Sequence, residues 1–91
     1  MTTLAVRHSV SDYDTWKAVF DEHASIRRDH GATGHRVLRD GNDVLVLVEF
    51  PDAGAAQSFQ SDPTLREALQ NAGIEGPPDI SLRTEDEQVQ Y

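Results

Sequence analysis

The size and charge of the chain limit the kinds of protein it can be. With 91 residues, it is expected to form one domain around a modest core. It carries 8 Lys and Arg against 16 Asp and Glu, and the net charge of −8 argues against binding to nucleic acid or to an anionic membrane. The absence of cysteine excludes disulfides and thiolate chemistry. Because no apolar leader or membrane-spanning run is found, we expect a cytoplasmic protein.

The first third of the chain predicts a strand followed by one long helix. Residues 2–10 alternate between apolar and polar positions, as in a half-buried strand. The apolar side of this strand carries Leu4, Val6, His8 and Val10. From Asp12 to Gly31, apolar and aromatic residues recur every three or four positions, which is the spacing of a helix with one buried stripe. Ser11 is predicted to cap the start of this helix.

The middle of the chain predicts a β-hairpin. Residues 35–39 have the length and alternation of a short strand, and residues 40–43 have the composition of a tight turn. The following run, Val44–Phe50, is almost entirely apolar and rich in β-branched residues. Such a run predicts a central strand that is covered on both faces.

The last third predicts two short helices and a final strand. A helical segment opens at Asp52, and a second helix begins within residues 61–63, with Ser61 or Asp62 as its cap and a proline in its first turn. Residues 75–78 read as a rigid turn, and residues 79–84 as a strand. Two side chains of that strand are expected to point inward, Ile80 and Leu82.

The predicted order of elements is β-α-β-β-α-β, the split βαβ arrangement of an α+β, ferredoxin-like fold. The domain covers residues 1–84, and residues 85–91 form an acidic tail that is either disordered or added to a sheet edge. Helices on one face of such a sheet leave the other face bare. A second copy of the sheet is the simplest cover for it, which predicts a homodimer.

Four stretches of the sequence resemble a known family. They are VSDYDTWKAVFDEH, the downstream R-x-x-G-A-T-G, VLVLVEFPD and SDPTLREALQNAGIEGPPDI. Together they resemble the dimeric α+β barrel superfamily, the small proteins related to antibiotic biosynthesis monooxygenases and polyketide cyclases. The resemblance implies a ligand cavity between sheet and helices and chemistry without a metal or organic cofactor.

Within that superfamily the sequence is closer to the cyclases than to the oxygenases. Cofactor-free monooxygenases of this kind place a Trp and an Asn near the substrate, but here Trp16 lies on the first helix while Asn42 and Asn71 lie in a turn and near a helix end. Cyclases of this kind use a His, often with a Tyr, as acid and base. The candidates for those roles are His8, His23, His35 and Tyr13.

Three residues are predicted to be catalytic. His8 is the only polar residue on the apolar side of the first strand, so it is a candidate general base at the cavity. His23 and Arg27 lie four residues apart and could act on one ligand, the imidazole moving a proton and the guanidinium holding an oxyanion. The alternatives are that His8 is a core histidine bonded to a backbone carbonyl, and that His23 is partly exposed while Arg27 pairs with Glu22 or Asp29.

Four further residues are predicted to contact the substrate, namely Tyr13, Trp16, Phe20 and His35. The alternatives are that Trp16 and Phe20 form a plain core, which their composition favours, and that His35 is a solvent-exposed residue near a loop. No metal is expected, because no two histidines have the i, i+4 spacing of a helical metal motif. The first interpretation is therefore a cyclase-like or isomerase-like enzyme acting on a small, hydrophobic carbonyl or phenolic molecule of the polyketide type. The alternatives are a cofactor-free monooxygenase and a non-catalytic, ligand-binding or stress-related dimer.

Overall fold

The computed structural model describes all 91 residues and contains four strands and four helices. In chain order the elements are β1 (Thr2–Val10), α1 (Tyr13–Glu22), α2 (Ala24–Asp29), β2 (Gly34–Asp40), β3 (Asp43–Phe50), α3 (Ala53–Gln60), α4 (Pro63–Asn71) and β4 (Ile74–Thr84).

The four strands form one antiparallel sheet in the order β2-β3-β1-β4. The two central strands are therefore β1 and β3, which pair Leu4 with Val48 and His8 with Val44. Each connection between β1 and β2, and between β3 and β4, contains two helices, and this arrangement confirms the α+β, ferredoxin-like fold predicted from the sequence.

Aspartate side chains begin three of the four helices. The carboxylate of Asp12 accepts a hydrogen bond from the backbone N–H of Thr15 at 3.3 Å, Asp52 caps α3 in the same way, and Asp62 caps α4. The prediction that Ser11 caps the first helix was wrong. Its hydroxyl instead donates to the carbonyl of Gly73 at 3.3 Å, which ties the end of β1 to the start of β4.

The prediction of one continuous first helix was also wrong. The helix ends at His23, whose backbone angles of φ −102° and ψ 22° are not helical, and α2 starts again at Ala24. The break lets the side chain of Arg27 fold back over α1, where its Nη1 donates to the carbonyl of Phe20 at 2.8 Å. That carbonyl also accepts from the backbone N–H of His23 at 3.3 Å, so Arg27 adds a second hydrogen bond to it. No Gly or Pro marks the break in the sequence.

Residues 75–78 belong to β4, so the predicted turn was wrong as well. The pairing of β1 with β4 is interrupted by a bulge, because Arg7 pairs with Asp79 whereas Ser9 pairs with Glu75. Three residues of β4, at positions 76–78, thus lie opposite the single residue His8 of β1, and Gly76 has the positive φ of 77° that the bulge requires. Beyond the bulge, Leu82 is half-buried as predicted. Ile80 pairs with Val6 and faces the helix side as predicted, where it lines the cavity described below and is 43% exposed.

The core lies between the helices and one face of the sheet. Its ten contiguous members are Leu4, Val10, Trp16, Val44, Val46, Val48, Phe50, Ala56, Phe59 and Ala72. Burying each large side chain of this set is worth about 1.5–3 kcal/mol.

On the opposite face of the sheet, Leu45 and Leu47 are half-buried and Leu38 is 41% exposed. The expectation that the central strand is covered on both faces therefore fails within a single chain, because every helix packs on the same side. No helix in the structure combines the length and the apolar character needed to cross a bilayer.

Candidate functional site

An apolar cavity lies between the sheet and the helices. Its volume is about 120 Å³, and it is open to solvent on one side. The floor comes from β1 and β3 and the walls from the helices, so most of the lining is aliphatic or aromatic. An apolar cavity of roughly 150 Å³ holds a benzene molecule, so the enclosed space suits about one aromatic ring, with room for more of a ligand toward the opening.

His8 is the polar group at the floor of this cavity. Its side chain is only 6% exposed, and neither Nδ1 nor Nε2 has a hydrogen-bond partner in the protein. Buried polar atoms without partners are rare, because each costs about 1–3 kcal/mol. The predicted alternative of a histidine bonded to a backbone carbonyl therefore does not hold. Both ring nitrogens are thus unpaired but fully buried, so a ligand reaches them only where the surrounding side chains move aside.

The strand pairing around His8 is irregular. His8 sits opposite Val44 on one side, while on the other side the β-bulge leaves it without a partner residue in β4. Burial lowers the pKa of His8 below the usual value of a histidine, and the carboxylate of Asp43 opposes part of that shift. The imidazole is therefore largely neutral at pH 7, the form that can accept a proton.

An aromatic row along α1 forms one wall of the cavity. The ring of Trp16 lies 5.4 Å from that of His8, and Phe20 stacks on Trp16 at 5.1 Å with an interplanar angle of 21°. Tyr13 packs behind Trp16 at 5.7 Å and does not line the cavity; the guanidinium of Arg39 lies 3.8 Å above its ring. Trp16 and Phe20 are thus packed against the core and line a cavity at the same time.

Arg27 closes the inner end of the cavity. Its residue is 6% exposed, and the guanidinium carbon lies 3.7 Å above the ring of Phe20. The predicted pairing with Glu22 or Asp29 is absent, since none of the three ion pairs in the structure involves Arg27. Burial lowers the pKa of Arg27 from its usual value; Asp21 opposes that change and Arg28 adds to it.

The structure does not bring His23 to this cavity. Its Nδ1 donates to the carbonyl of Val19 at 2.7 Å, one turn earlier in α1, so the predicted pair of His23 and Arg27 does not face a common space. His35 contacts Phe20 edge-on at 5.1 Å and lines a second cavity, of about 190 Å³, that also touches Arg27. Of the seven predicted site residues, the first cavity brings together His8, Trp16, Phe20 and Arg27.

Several residues of the cavity lie in the second half of the chain and were not predicted. Leu69, Ile80, Gln60 and Arg66 line it from α3, α4 and β4. The helical spacing of Leu65 and Leu69 places them on one stripe, but the sequence alone does not tell that this stripe faces an open space rather than a filled core. No group of three or more His, Asp or Glu side chains is close enough together to hold a metal ion.

A second histidine cluster lies away from both cavities. Nε2 of His30 is 2.7 Å from the carboxylate of Asp62, and its Nδ1 accepts from the hydroxyl of Ser58 at 3.1 Å. These are the residue types of a hydrolytic triad, but Asp62 also accepts from the backbone N–H of Thr64 at 2.8 Å and so caps α4. Neither of the two cavities described above is lined by Ser58. The cluster therefore joins α2 to the junction of α3 and α4.

The comparisons with known proteins support the fold. The cofactor-independent oxygenase SnoaB from Streptomyces nogalater superposes with a TM-score of 0.82 at 17% identity, covering 99% of this chain and 97% of that one. The ActVA-Orf6 monooxygenase of Streptomyces coelicolor, solved with nanaomycin D, gives 0.72 at 18% identity over 99% and 91% of the two chains. Rv0793 from Mycobacterium tuberculosis gives 0.75 at 10% identity over 98% of both. No protein-family profile and no curated protein sequence matches the chain. The resemblance to the antibiotic biosynthesis monooxygenases is thus confirmed at the level of the fold.

Proposed function

We propose that the protein is a cofactor-independent oxygenase that acts on a hydroxylated aromatic ketone of the polyketide type. The single observation that carries the proposal is the buried imidazole of His8, which has no partner within the protein and faces an apolar cavity large enough for an aromatic ring. The structural similarity to SnoaB and ActVA-Orf6 favours oxygenation over the cyclase-like reaction that the sequence placed first.

The chemistry begins with a proton transfer to His8. A neutral imidazole removes a proton from a ring methylene that is made acidic by a neighbouring carbonyl, and this leaves a carbanion delocalised onto the carbonyl oxygen. Because the cavity is apolar, the proton transfer is more sensitive to the position of the base than it would be in water.

Dioxygen then serves as the oxidant. The carbanion gives up its electrons to O₂ and forms a carbon–oxygen bond, and the proton held by His8 passes to the outer oxygen to give a hydroperoxide. Loss of water from the hydroperoxide leaves a carbonyl where the methylene stood. The balance is one methylene plus O₂ to one carbonyl plus water, so no further reductant is needed.

The remaining residues of the site bind and orient the substrate. The rings of Trp16 and Phe20 offer a stacking surface beside His8. The guanidinium of Arg27 supplies a positive charge at the inner end of the cavity, where it would stabilise an enolate oxygen.

The test uses a hydroxylated anthrone under ¹⁸O₂. We expect one ¹⁸O atom in the product carbonyl, and a loss of kcat of about 10²–10⁴-fold in His8→Gln, the range that a general base contributes. His23→Gln is the matched comparison, because it makes the same change at a histidine that lies outside the cavity. Loss of turnover in His23→Gln with normal turnover in His8→Gln would refute the assignment of the base.

A cyclase-like or isomerase-like reaction is the second candidate, since the same His8 and Arg27 would catalyse proton transfer without O₂. Anaerobic incubation of the anthrone in D₂O separates the two functions. Exchange of the methylene protons without oxygen is expected for both, whereas an anaerobic product with rearranged bonds would favour the cyclase. No exchange above the uncatalysed rate would contradict both.

We also propose that the protein is a homodimer through the helix-free face of its sheet. Leu38, Leu45 and Leu47 form an apolar patch there, and Leu38 and Leu45 are direct neighbours on paired strands. Sedimentation velocity should give twice the mass of the chain, and Leu45→Lys should shift the protein toward monomer. Ala53→Lys places the same charge on the exposed helical side and should leave the mass unchanged. A monomeric wild-type protein at micromolar concentration would rule the dimer out.

A further inference from the structure

The second cavity has a chemical character that the apolar cavity lacks. Its volume is about 190 Å³, and its lining includes Arg27, Arg28, Thr33 and His35 but no Asp or Glu. This is unusual in a chain with a net charge of −8, in which acidic residues outnumber basic ones two to one. An anion entering this space would meet positive charge on two sides.

Arg27 is the residue of the second cavity whose side chain is expected to bind a ligand. Its side chain makes one hydrogen bond, from Nη1 to the carbonyl of Phe20, out of the five that a guanidinium can donate. The residue is only 6% exposed, and no carboxylate of the protein lies within ion-pairing distance of its guanidinium. The unpaired nitrogens of Arg27 keep accessible surface, since the only fully buried unpaired side-chain nitrogens are those of His8. A ligand in the adjoining cavity can therefore reach them without unpacking the core.

The two cavities meet at this guanidinium. Arg27 and Val48 are the residues that line both spaces, so a ligand anchored on Arg27 in the second cavity is adjacent to the ring-sized space beside Phe20. The face of the guanidinium is covered by Phe20, which leaves its edge for planar, two-point contact. A carboxylate matches that edge better than any other common organic anion of its size.

We propose that the second cavity is a carboxylate-binding site anchored by Arg27, and that it selects aromatic acids whose ring occupies the apolar cavity. Only this last clause, on the ring, rests on the proposed function, since the carboxylate site itself requires no reaction. His35 and Arg28 flank the bound group, His35 as a neutral donor and Arg28 as a second positive charge.

His35 provides a readout in the unaltered protein. Burial lowers the pKa of His35, Arg27 and Lys17 lower it further, and Asp21 opposes them. A carboxylate bound on Arg27 adds negative charge beside the ring, so it should raise the pKa of His35 toward the ordinary value. A neutral ligand in the apolar cavity should leave it unchanged.

The experiment measures binding by NMR without turnover, using 1-naphthoate, 1-naphthalenemethanol and acetate. We expect 1-naphthoate to bind at least about tenfold more tightly than the alcohol and to raise the pKa of His35. Arg27→Gln should remove that preference, and Arg83→Gln, which deletes a positive charge from an exposed position on β4, should keep it. Saturation by acetate with the same change in His35 would support the carboxylate site and identify a separate small acid as its ligand.

Two results would overturn the proposal. One is an equal affinity for 1-naphthoate and its alcohol, and the other is a His35 pKa that no carboxylate changes. Because Arg27→Gln also loses the bond to Phe20 and could unfold α1, the His35 titration in the wild-type protein decides the matter on its own. A failure here leaves the role of His8 untouched, and loss of turnover in His8→Gln leaves the carboxylate site untouched.

Discussion

Replacing His8 with leucine should make the protein more stable while abolishing its activity. The neutral ring buries one donor and one acceptor with no partners, and each costs about 1–3 kcal/mol. Loss of the ring contact with Trp16 offsets about 0.5–1.5 kcal/mol of that gain. The net expectation is a free energy of unfolding higher by about 0.5–5.5 kcal/mol, with Tm higher by roughly 4–8 °C per kcal/mol in a domain of this size.

The increase in the free energy of unfolding caused by His8→Leu should become larger as the pH falls. Because burial lowers the pKa of His8 in the folded protein, the unfolded chain binds a proton at a pH at which the folded protein does not. The native state therefore keeps its full stability above about pH 6.5 and loses some as the pH falls toward the folded pKa. His8→Leu lacks this loss. In urea unfolding, its stability advantage over the wild type should therefore be larger at pH 5.5 than at pH 7.5.

His23→Leu is the control, because it should not raise the free energy of unfolding as His8→Leu does. His23 makes a real hydrogen bond to the carbonyl of Val19, so the same substitution should be neutral or destabilising by about 0.5–1.5 kcal/mol. If His8→Leu lowers stability by as much as His23→Leu, the ring nitrogens of His8 are satisfied in solution and the reasoning that makes them available to a substrate fails.

Three further predictions concern the frame around the site. Gly73→Ala should lower the free energy of unfolding by about 1–2 kcal/mol because residue 73 has a positive φ of 72°. A further loss is expected because the new Cβ would lie 2.7 Å from the hydroxyl oxygen of Ser11. In thermal unfolding, a Ser11→Ala background should recover only the loss caused by this close contact. Asp12→Ala should cost about 1 kcal/mol in urea unfolding through loss of the cap of α1, and an unchanged midpoint would contradict the cap. The bond to His30 lowers the pKa of Asp62, so this interaction contributes stability above about pH 3.9 that disappears as the pH falls through the folded pKa. Asp62→Asn should thus be less stable than wild type at pH 6 and approach it at pH 2–3 in circular dichroism melts; a gap that does not narrow would argue against the charge effect.

The sheet was predictable because its strands carry clear two-residue alternation. The alternation around His8 places that side chain on the helix-facing side, and the turn residues 40–43 fix the hairpin. The break at His23 was not predictable, because no Gly or Pro marks it and the bond of Arg27 across it spans seven residues. A contact between a side chain and the backbone does not change the spacing of apolar residues in the sequence.

The site was predictable only in part, for a related reason. Alternation places His8 on the covered face, and helical spacing places Trp16 and Phe20 on one stripe. The same spacing wrongly joined His23 to Arg27, since it assumes an unbroken helix. The packing around a polar group in a core depends on the neighbouring strands. The bulge opposite His8 coincides with Gly76 and the two prolines after it, and in a sequence these residues are equally typical of a turn.

That pair of prolines also bears on how the chain avoids aggregation. β4 is an edge strand, and eleven residues of extended backbone would offer a long template to any other unpaired strand. Pro77 and Pro78 carry no backbone N–H, and the bulge around them twists the edge away from a flat ladder. Only the stretch from Asp79 to Thr84 remains able to accept another strand, so the irregularity opposite His8 also halves the edge at which two chains could fuse.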